Sequence, residues 1–331
     1  MTWFERLTHV RETSADAVRA ELEVVGTQLR SRANGQSWEC GTLEIASLGE
    51  LRERAARLAA GGRSTLRELV GDSRELHAHR THAGAMFQVA SQFNLLEMVG
   101  PDVTPEHGIS GYEHDRTQGP ACAIAAGAGT IYRSYFVACG GGFGQTADRQ
   151  IDTLADLGEA LGNREGGLWS MRNGYALPQP GGLATVAQRI SGLDEAQRDA
   201  LRARLRIGVQ WHTEVTVDGG GHLVSQAYCS ALPVAYASEP ASAWQPFARL
   251  VLEAGYEAAF CAARINAAAT GNRSLLLTLV GGGAFGNDPA WIHDAIARAM
   301  QHHVDAGLDV AIVSYGAPNP ALAPLLARHG G

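Results

Sequence analysis

Two stretches of this 331-residue chain carry residue types that could do chemistry together. In the first, the apolar segment GAMFQVA leads to Gln92, Asn94 and a polar loop crowded with Glu97, Asp102, Glu106, Glu113 and Asp115. Amides both donate and accept hydrogen bonds, while carboxylates serve as acids and bases. The loop returns through TQGPACAIAAGAGT, whose small residues let helix and backbone pack closely around something placed at its amino end. In the second stretch, LTLVGGGAFGNDPAWI runs an apolar strand into three consecutive glycines and then the start of a helix. Free backbone N–H groups and a helix dipole at such a junction favour an anion, and glycines let a phosphate come close. Gly281, Gly282, Gly283, Ala284, Phe285, Gly286 and Asn287 are therefore candidate anion-binding positions, a tight turn without ligand being the alternative. No Gly-Lys-Ser/Thr follows and the third glycine of a dinucleotide fingerprint is missing, so neither the P-loop nor the GxGxxG pattern is met.

Elements that would position these residues can be read along the chain. Residues 1–80 read as largely helical, with Ser14 capping SADAVRAELEVVGTQLRSRA, Ser47 capping SLGELRERAARLAA, and a short strand GTLEIA between them. From there strand-like and helix-like segments alternate: GAMFQVA, GPACAIAAGAGTIYRSYF, RIGVQWHTEVTV, LVSQAYCSALPVAYA, WQPFARLVLEAGYEAAFCAARINAAAT, SLLLTLV, NDPAWIHDAIARAMQHHVDAG and DVAIVSYG. That order predicts a mixed or mostly parallel sheet with helices on both faces and a ligand site at strand carboxyl ends. Residues 154–194, with YALPQPGG, read as loop and insertion.

Composition excludes several classes. A net charge of −7 with dispersed Lys and Arg leaves no basic stripe for nucleic acid. No apolar run approaches the roughly 18 residues of a membrane span. The amino-terminal MTWFERLTHVRETSAD is charged and amphipathic, without an apolar signal core, so a cytoplasmic protein is expected. Five scattered cysteines without a CxxC pair argue against disulfides and zinc, and no cofactor or metal is expected. Cys122, before a helix, is a weak candidate nucleophile that reads more naturally as a packed small hydrophobe. The histidines, among them His107, His114, His212, His222, His293, His302 and His303, show no metal spacing.

The segments QFNLLEM, TPEHGISGYEHDRTQGPACA and GGGAFGN, with a last strand ending in VSYG, resemble the macrodomain family. More narrowly they are similar to its arginine-specific, MavL-like ADP-ribosyl hydrolases, over residues 80–318. The sequence departs from the family in carrying QFN in place of Asn-Ala-Ala-Asn and in lacking the usual glycine run of the first catalytic loop. The resemblance implies a three-layer α/β/α macrodomain-like mixed sheet, with residues 1–80 as a helical extension packed on a domain of residues 81–331. It implies ADP-ribose and an ADP-ribosylated protein as partners, and cleavage of the bond between ribose and an arginine guanidinium.

On that reading the pyrophosphate takes N–H donors from the 281–287 turn, while Asn94, and less directly Gln92, meets ribose hydroxyls. An oxocarbenium-like centre asks for carboxylates, and Glu106 and Asp115 are the expected catalytic groups, with Glu113 as the neighbour to compare. An acidic mouth also suits a cationic arginine substrate. Tyr112 and Tyr315 are candidates to wall the ribose and Phe285 to cover the pyrophosphate, core packing being the alternative for each. Two functions stay open: hydrolysis of mono-ADP-ribosylated arginine, which needs the carboxylates, and binding of ADP-ribose or a related nucleotide without turnover, which does not.

Overall fold

The computed structural model describes residues 1–329. Seven strands form a central mixed sheet: β1 (Thr42–Ser47), β2 (Thr65–Val70), β3 (Met86–Ala90), β4 (Arg206–Glu214), β5 (Leu223–Cys229), β6 (Ser274–Leu277) and β7 (Asp309–Ser314), in the order β1-β4-β5-β3-β6-β7-β2. Strand β5 pairs parallel with β3, and β3, β6, β7 and β2 continue the parallel block, whereas β4 is antiparallel to both of its neighbours. Parallel strands must be covered on both faces, and their side chains alternate accordingly. Leu275, Leu277, Val310 and Ile312 point into one core, while Leu276 and Val313 join Phe87 on the other face.

Helices cover each side. The first core is roofed by the helix Leu48–Ala56, the long helix Ala241–Thr270 and the helix Pro289–His302. On the opposite face, the helix Gln118–Ala125 packs Cys122 against Val89 and Tyr228, and residues of Trp3–Thr8 cover its far side through Trp3 and Phe4. The result is the three-layer α/β/α arrangement expected from the alternation of segments. No helix among the described residues is long and apolar enough to cross a membrane.

The amino-terminal 80 residues differ from the helical extension expected of them. They do contain four short helices, and Ser47 caps its helix as expected, closing a capping box with Glu50. The expected strand GTLEIA is β1, but this segment also supplies β2, and the two form both edges of the central sheet. The helix opened by Ser14 stops at Glu21, and Leu22–Val25 turns back on Gln28–Ser31 through Gly26, whose φ of +64° suits a tight turn. Two adjacent valines and a glycine outweighed the helical register of the flanking residues. Residues 154–194, expected as loop, contain the helices Ala155–Ala160 and Gly182–Ser191 and the hairpin Trp169–Arg172/Tyr175–Pro178. Its two-residue turn, Asn173-Gly174, has positive φ at both positions, the geometry that an Asn-Gly pair favours.

The helical layer is tied by ions as well as by apolar contact. Glu257, nearly fully buried on the helix Ala241–Thr270, receives hydrogen bonds from Arg52 and Arg298, and both arginines also hold Asp199. Burial opposes ionisation of Glu257, but the hydrogen bonds from Arg52 and Arg298 outweigh it and hold the carboxyl below the ordinary glutamate range. We expect Glu257→Gln to lose about 3 kcal/mol at neutral pH, the scale of a broken buried ion pair. Because the native pKa is depressed, that contribution is present above the unfolded value and lost as pH falls through the native one. Denaturant melts at neutral and acidic pH check both parts, since the gap between wild type and variant must narrow in acid.

Candidate functional site

The parallel block ends its strands on one side, and there β3, β6 and β7 open a cleft of about 630 Å³. Most of its wall comes from four segments: residues 90–92 and 97–99 at and beyond the end of β3, residues 115–120 at the start of the helix Gln118–Ala125, residues 278–285 after β6, and residues 313–315 with Ala317 at and beyond the end of β7. This is where neighbouring parallel strands diverge to their separate connections and leave backbone groups unpaired.

The turn after β6 is built by glycine at two places. Gly281 has φ +79°, and a Cβ there would stand 2.4 Å from Ala231 Cβ; Gly286 has φ +68° and a Cβ would meet that of Ala235 at 2.9 Å. Asn287 closes the turn from within: its N–H donates to Gly281 O at 2.9 Å and its side-chain amide to Leu232 O at 2.8 Å. Gly281, Gly282, Gly283, Ala284 and Phe285 line the cleft, whereas Gly286 and Asn287 do not and act as its frame. The N–H groups of Gly283, Ala284 and Phe285 have no acceptor among the described residues, and a Cβ on Gly283 would meet nothing within 4 Å. The following helix contributes less than its position suggested. It begins only at Pro289, and the Asp288 carboxylate already accepts from Ala290 N–H at 2.8 Å. Donors for an anion are thus those of the loop itself, in the manner of a backbone nest.

Across the cleft lies the loop from β3 to the helix Gln118–Ala125. Gln92 lines the cleft, but its amide is spent on the loop: Oε1 accepts from Met98 N–H at 2.8 Å and Nε2 donates to Met98 O at 3.1 Å. Asn94 is 0% exposed and lies outside the cleft wall, with its amide held between Leu96 N–H and Gln150. Its expected contact with ribose is therefore replaced by a structural one, because the chain turns at Leu95 instead of continuing as a strand.

The carboxylates divide sharply. Asp115 faces the cleft and anchors Thr117 N–H at 2.8 Å, just before the helix. Glu106 stands outside, exposed, accepting from Ala147 N–H. Glu113 also points elsewhere, clasping the amino terminus by accepting from Trp3 N–H and Arg6. Geometry therefore separates Glu106 and Glu113 from Asp115, since the loop folds into two short 3-10 turns, Pro105–His107 and Ser110–His114, that carry the first two outward.

Glu97 takes the place they leave. It lines the cleft, is 4% exposed, and its Oε1 has no hydrogen-bond partner among the described residues. A Cβ on Gly119 would come within 2.6 Å of its Oε2, so the helix presents glycine where the carboxylate lies. Burial pushes the Glu97 carboxyl up to about 8; Arg133 opposes the shift and Asp115 adds to it. A lone acidic residue inside the apolar run NLLEMV was the sequence signal for this burial.

Aromatic rings close one end. Tyr175, Tyr236 and Phe285 meet with centroids 5.1, 5.2 and 5.6 Å apart, and Tyr175 also donates to Met98 O at 2.7 Å. Tyr315, 67% exposed, stands at the opposite rim. Tyr112 is not in the cleft wall; its hydroxyl accepts from Glu97 N–H at 2.9 Å behind it. Cys122 is buried with its thiol pushed upward by burial, which suits packing and not nucleophilic attack. Among the described residues no group of three or more His, Cys, Asp or Glu side chains is placed to hold a metal ion.

No protein-family model matches this chain, and no curated protein matches it in sequence. Solved structures similar to it include poly(ADP-ribose) glycohydrolase from Thermomonospora curvata, at 13% identity and a TM-score of 0.47 over 95% of each chain. The same enzyme bound to the inhibitor ADP-HPD gives 14% identity and a TM-score of 0.44, again over 95% of each chain. Poly(ADP-ribose) glycohydrolase from Deinococcus radiodurans in complex with ADP-ribose gives 13% identity and a TM-score of 0.44, over 87% of this chain and 94% of that one.

Proposed function

We propose that the cleft binds ADP-ribose and that the protein hydrolyses the N-glycosidic bond joining it to a modified arginine side chain. The observation that carries this reading is the Glu97 carboxyl, buried and without a partner in the wall of a cleft whose other side offers three free N–H groups. A diphosphate matches those donors, and the distal ribose then lies toward the two carboxyl groups. Glu97, held protonated near neutral pH, gives its proton to the leaving guanidine nitrogen as the bond to the anomeric carbon breaks. Asp115 takes a proton from the attacking water, whose oxygen bonds to that carbon. The proton left on Asp115 replaces the one lost by Glu97, so the pair is restored at the end of the cycle. The sequence resemblance to arginine-specific hydrolases and the Asp115 carboxyl group facing a cationic side chain support arginine as the modified residue.

Binding and chemistry are tested separately. Isothermal titration is expected to detect ADP-ribose, and Gly281→Ala is expected to weaken it by at least about tenfold, because a Cβ in this left-handed position collides with Ala231 and displaces the donors. A wild-type protein without affinity at millimolar ligand would overturn the reading. Arginine-modified protein should be demodified faster than serine- or glutamate-modified protein, the reverse order reassigning the linkage.

Glu97→Gln and Asp115→Asn are expected to lower turnover by roughly 10²-fold, the scale of a lost acid or base. Glu106→Gln and Glu113→Gln, outside the cleft, should leave it within about threefold, since neither acid nor base is removed. Intact turnover in both cleft variants, with ADP-ribose still bound, would leave a binding protein without this activity.

A raised pKa also has a sign in stability. Between the ordinary glutamate range and about 8 the folded chain keeps a proton on Glu97 that the unfolded chain releases. Its contribution is full in acid and is lost as pH rises through the native value. Wild type should therefore lose stability relative to Glu97→Gln on going from about pH 5 to about pH 9, and turnover should fall along the same alkaline limb. Thermal melts of the two proteins across this range settle the sign.

A further inference from the structure

We infer that Arg133 is a positioning residue: from behind the cleft it pins the backbone of Leu95 and so fixes where the Glu97 carboxyl stands. This rests on the assignment of Glu97 as proton donor. Leu95 has φ +65°, a left-handed conformation that a branched side chain adopts only when its surroundings impose it. Three contacts impose it here. Its N–H donates to Gln92 O at 2.9 Å, and its carbonyl accepts from Arg133 Nε at 2.7 Å. Its side chain fills the space over β4, where a Cβ on Gly208 would lie 2.4 Å from Leu95 Cδ1. Two residues later the chain delivers Glu97, and then Met98 is clamped by Gln92.

Arg133 itself is 0% exposed, and its guanidinium lies over the Tyr228 ring at 3.9 Å. Its Nη1 and Nη2 have no hydrogen-bond partner, and it forms no ion pair among the described residues. A direct pair would hold Glu97 ionised; a cation kept at a distance only moderates the effect of burial. The titratable groups that face Glu97 are Asp115, Tyr112, Cys122 on the helix Gln118–Ala125, Tyr228 on β5 and Tyr175 on the Asn-Gly hairpin, with Arg133 the cation among them.

Two variants separate backbone from charge. Arg133→Gln keeps an N–H donor at the place of Nε and removes the charge; Arg133→Met removes both. Kinetics on arginine-modified protein across pH, with ADP-ribose affinity by titration, read the outcome. Arg133→Met is expected to lower kcat by at least about tenfold, the cost of a misplaced catalytic group, while ADP-ribose affinity stays within about threefold. Arg133→Gln should keep kcat within about threefold of wild type, since the donor to Leu95 O remains. In both, the alkaline limb should move to higher pH, because losing a cation favours the neutral acid. Arg133→Met with wild-type kcat, or Arg133→Gln with a tenfold loss of kcat, overturns the inference, and either variant suffices if the other does not fold. An active Glu97→Gln overturns the reading beneath it as well, whereas an inactive Glu97→Gln beside an unaffected Arg133→Met overturns this inference alone.

Discussion

A carboxylic acid buried without a hydrogen-bond partner is costly, and the cleft is organised around one. Glu97 could lower its energy by forming an ion pair, and the structure denies it that: the loop leaves it 4% exposed, facing the cleft alone, and Arg133 is turned to a backbone carbonyl instead. The protonated form is what remains favourable. Everything near it follows from holding that position. Gly119 leaves room for the carboxyl, Tyr112 satisfies the Glu97 N–H, and the Gln92 amide closes the loop over Met98. A loop with a left-handed leucine persists because these bonds together over-determine it.

The amides of Gln92 and Asn94 illustrate how such a site is supported. Both stand at the end of β3, where a ligand contact is the natural expectation, and both are consumed by backbone groups of the loop that follows. Amide side chains suit this work since they donate and accept at once, which lets one residue close a turn that would otherwise bury unpaired polar atoms. The same division recurs at the other wall, where Asn287 frames the turn and Gly283 to Phe285 present its donors. The cleft is faced by backbone N–H groups on that wall and by the carboxyl groups of Glu97 and Asp115 on the other.

Much of the fold was legible because its signals are local. Segments such as SLLLTLV and DVAIVSYG are short, apolar and bounded by polar turns, and they became β6 and β7. The Ser47 cap and the glycine turn are legible from neighbouring residues alone. What escaped were features set by distant partners or by single turns. Strand β2 pairs with β7, more than two hundred residues away in sequence, and nothing in TLRELV distinguishes it from a helical stretch. The Asn173-Gly174 pair is itself a hairpin signal inside a segment that otherwise reads as loop, and the hairpin brings Tyr175 into the cleft wall. For the carboxylates, crowding suggested chemistry but gave no direction. Glu106 and Glu113 face outward because of 3-10 turns that charge density cannot reveal, while Glu97 was marked by the apolar residues on either side of it.

Edge strands from the first 80 residues also bear on how the cleft is held open. Strand β2 flanks β7, whose carboxyl end carries Ser314 and Tyr315 into the cleft wall, and β1 flanks β4, whose Gly208 accommodates Leu95. The amino-terminal helix Trp3–Thr8 meanwhile receives Glu113, Glu12 takes the N–H groups of Ile109 and Ser110, and Ala147 N–H meets Glu106, so both 3-10 turns of the acidic loop are fastened from outside. With those turns fixed, the segment from Glu97 to Asp115 has both of its ends set in the wall of the same cavity. The spacing between the two cleft carboxyl groups is thus a property of the whole chain, set by contacts from residues that never approach a ligand.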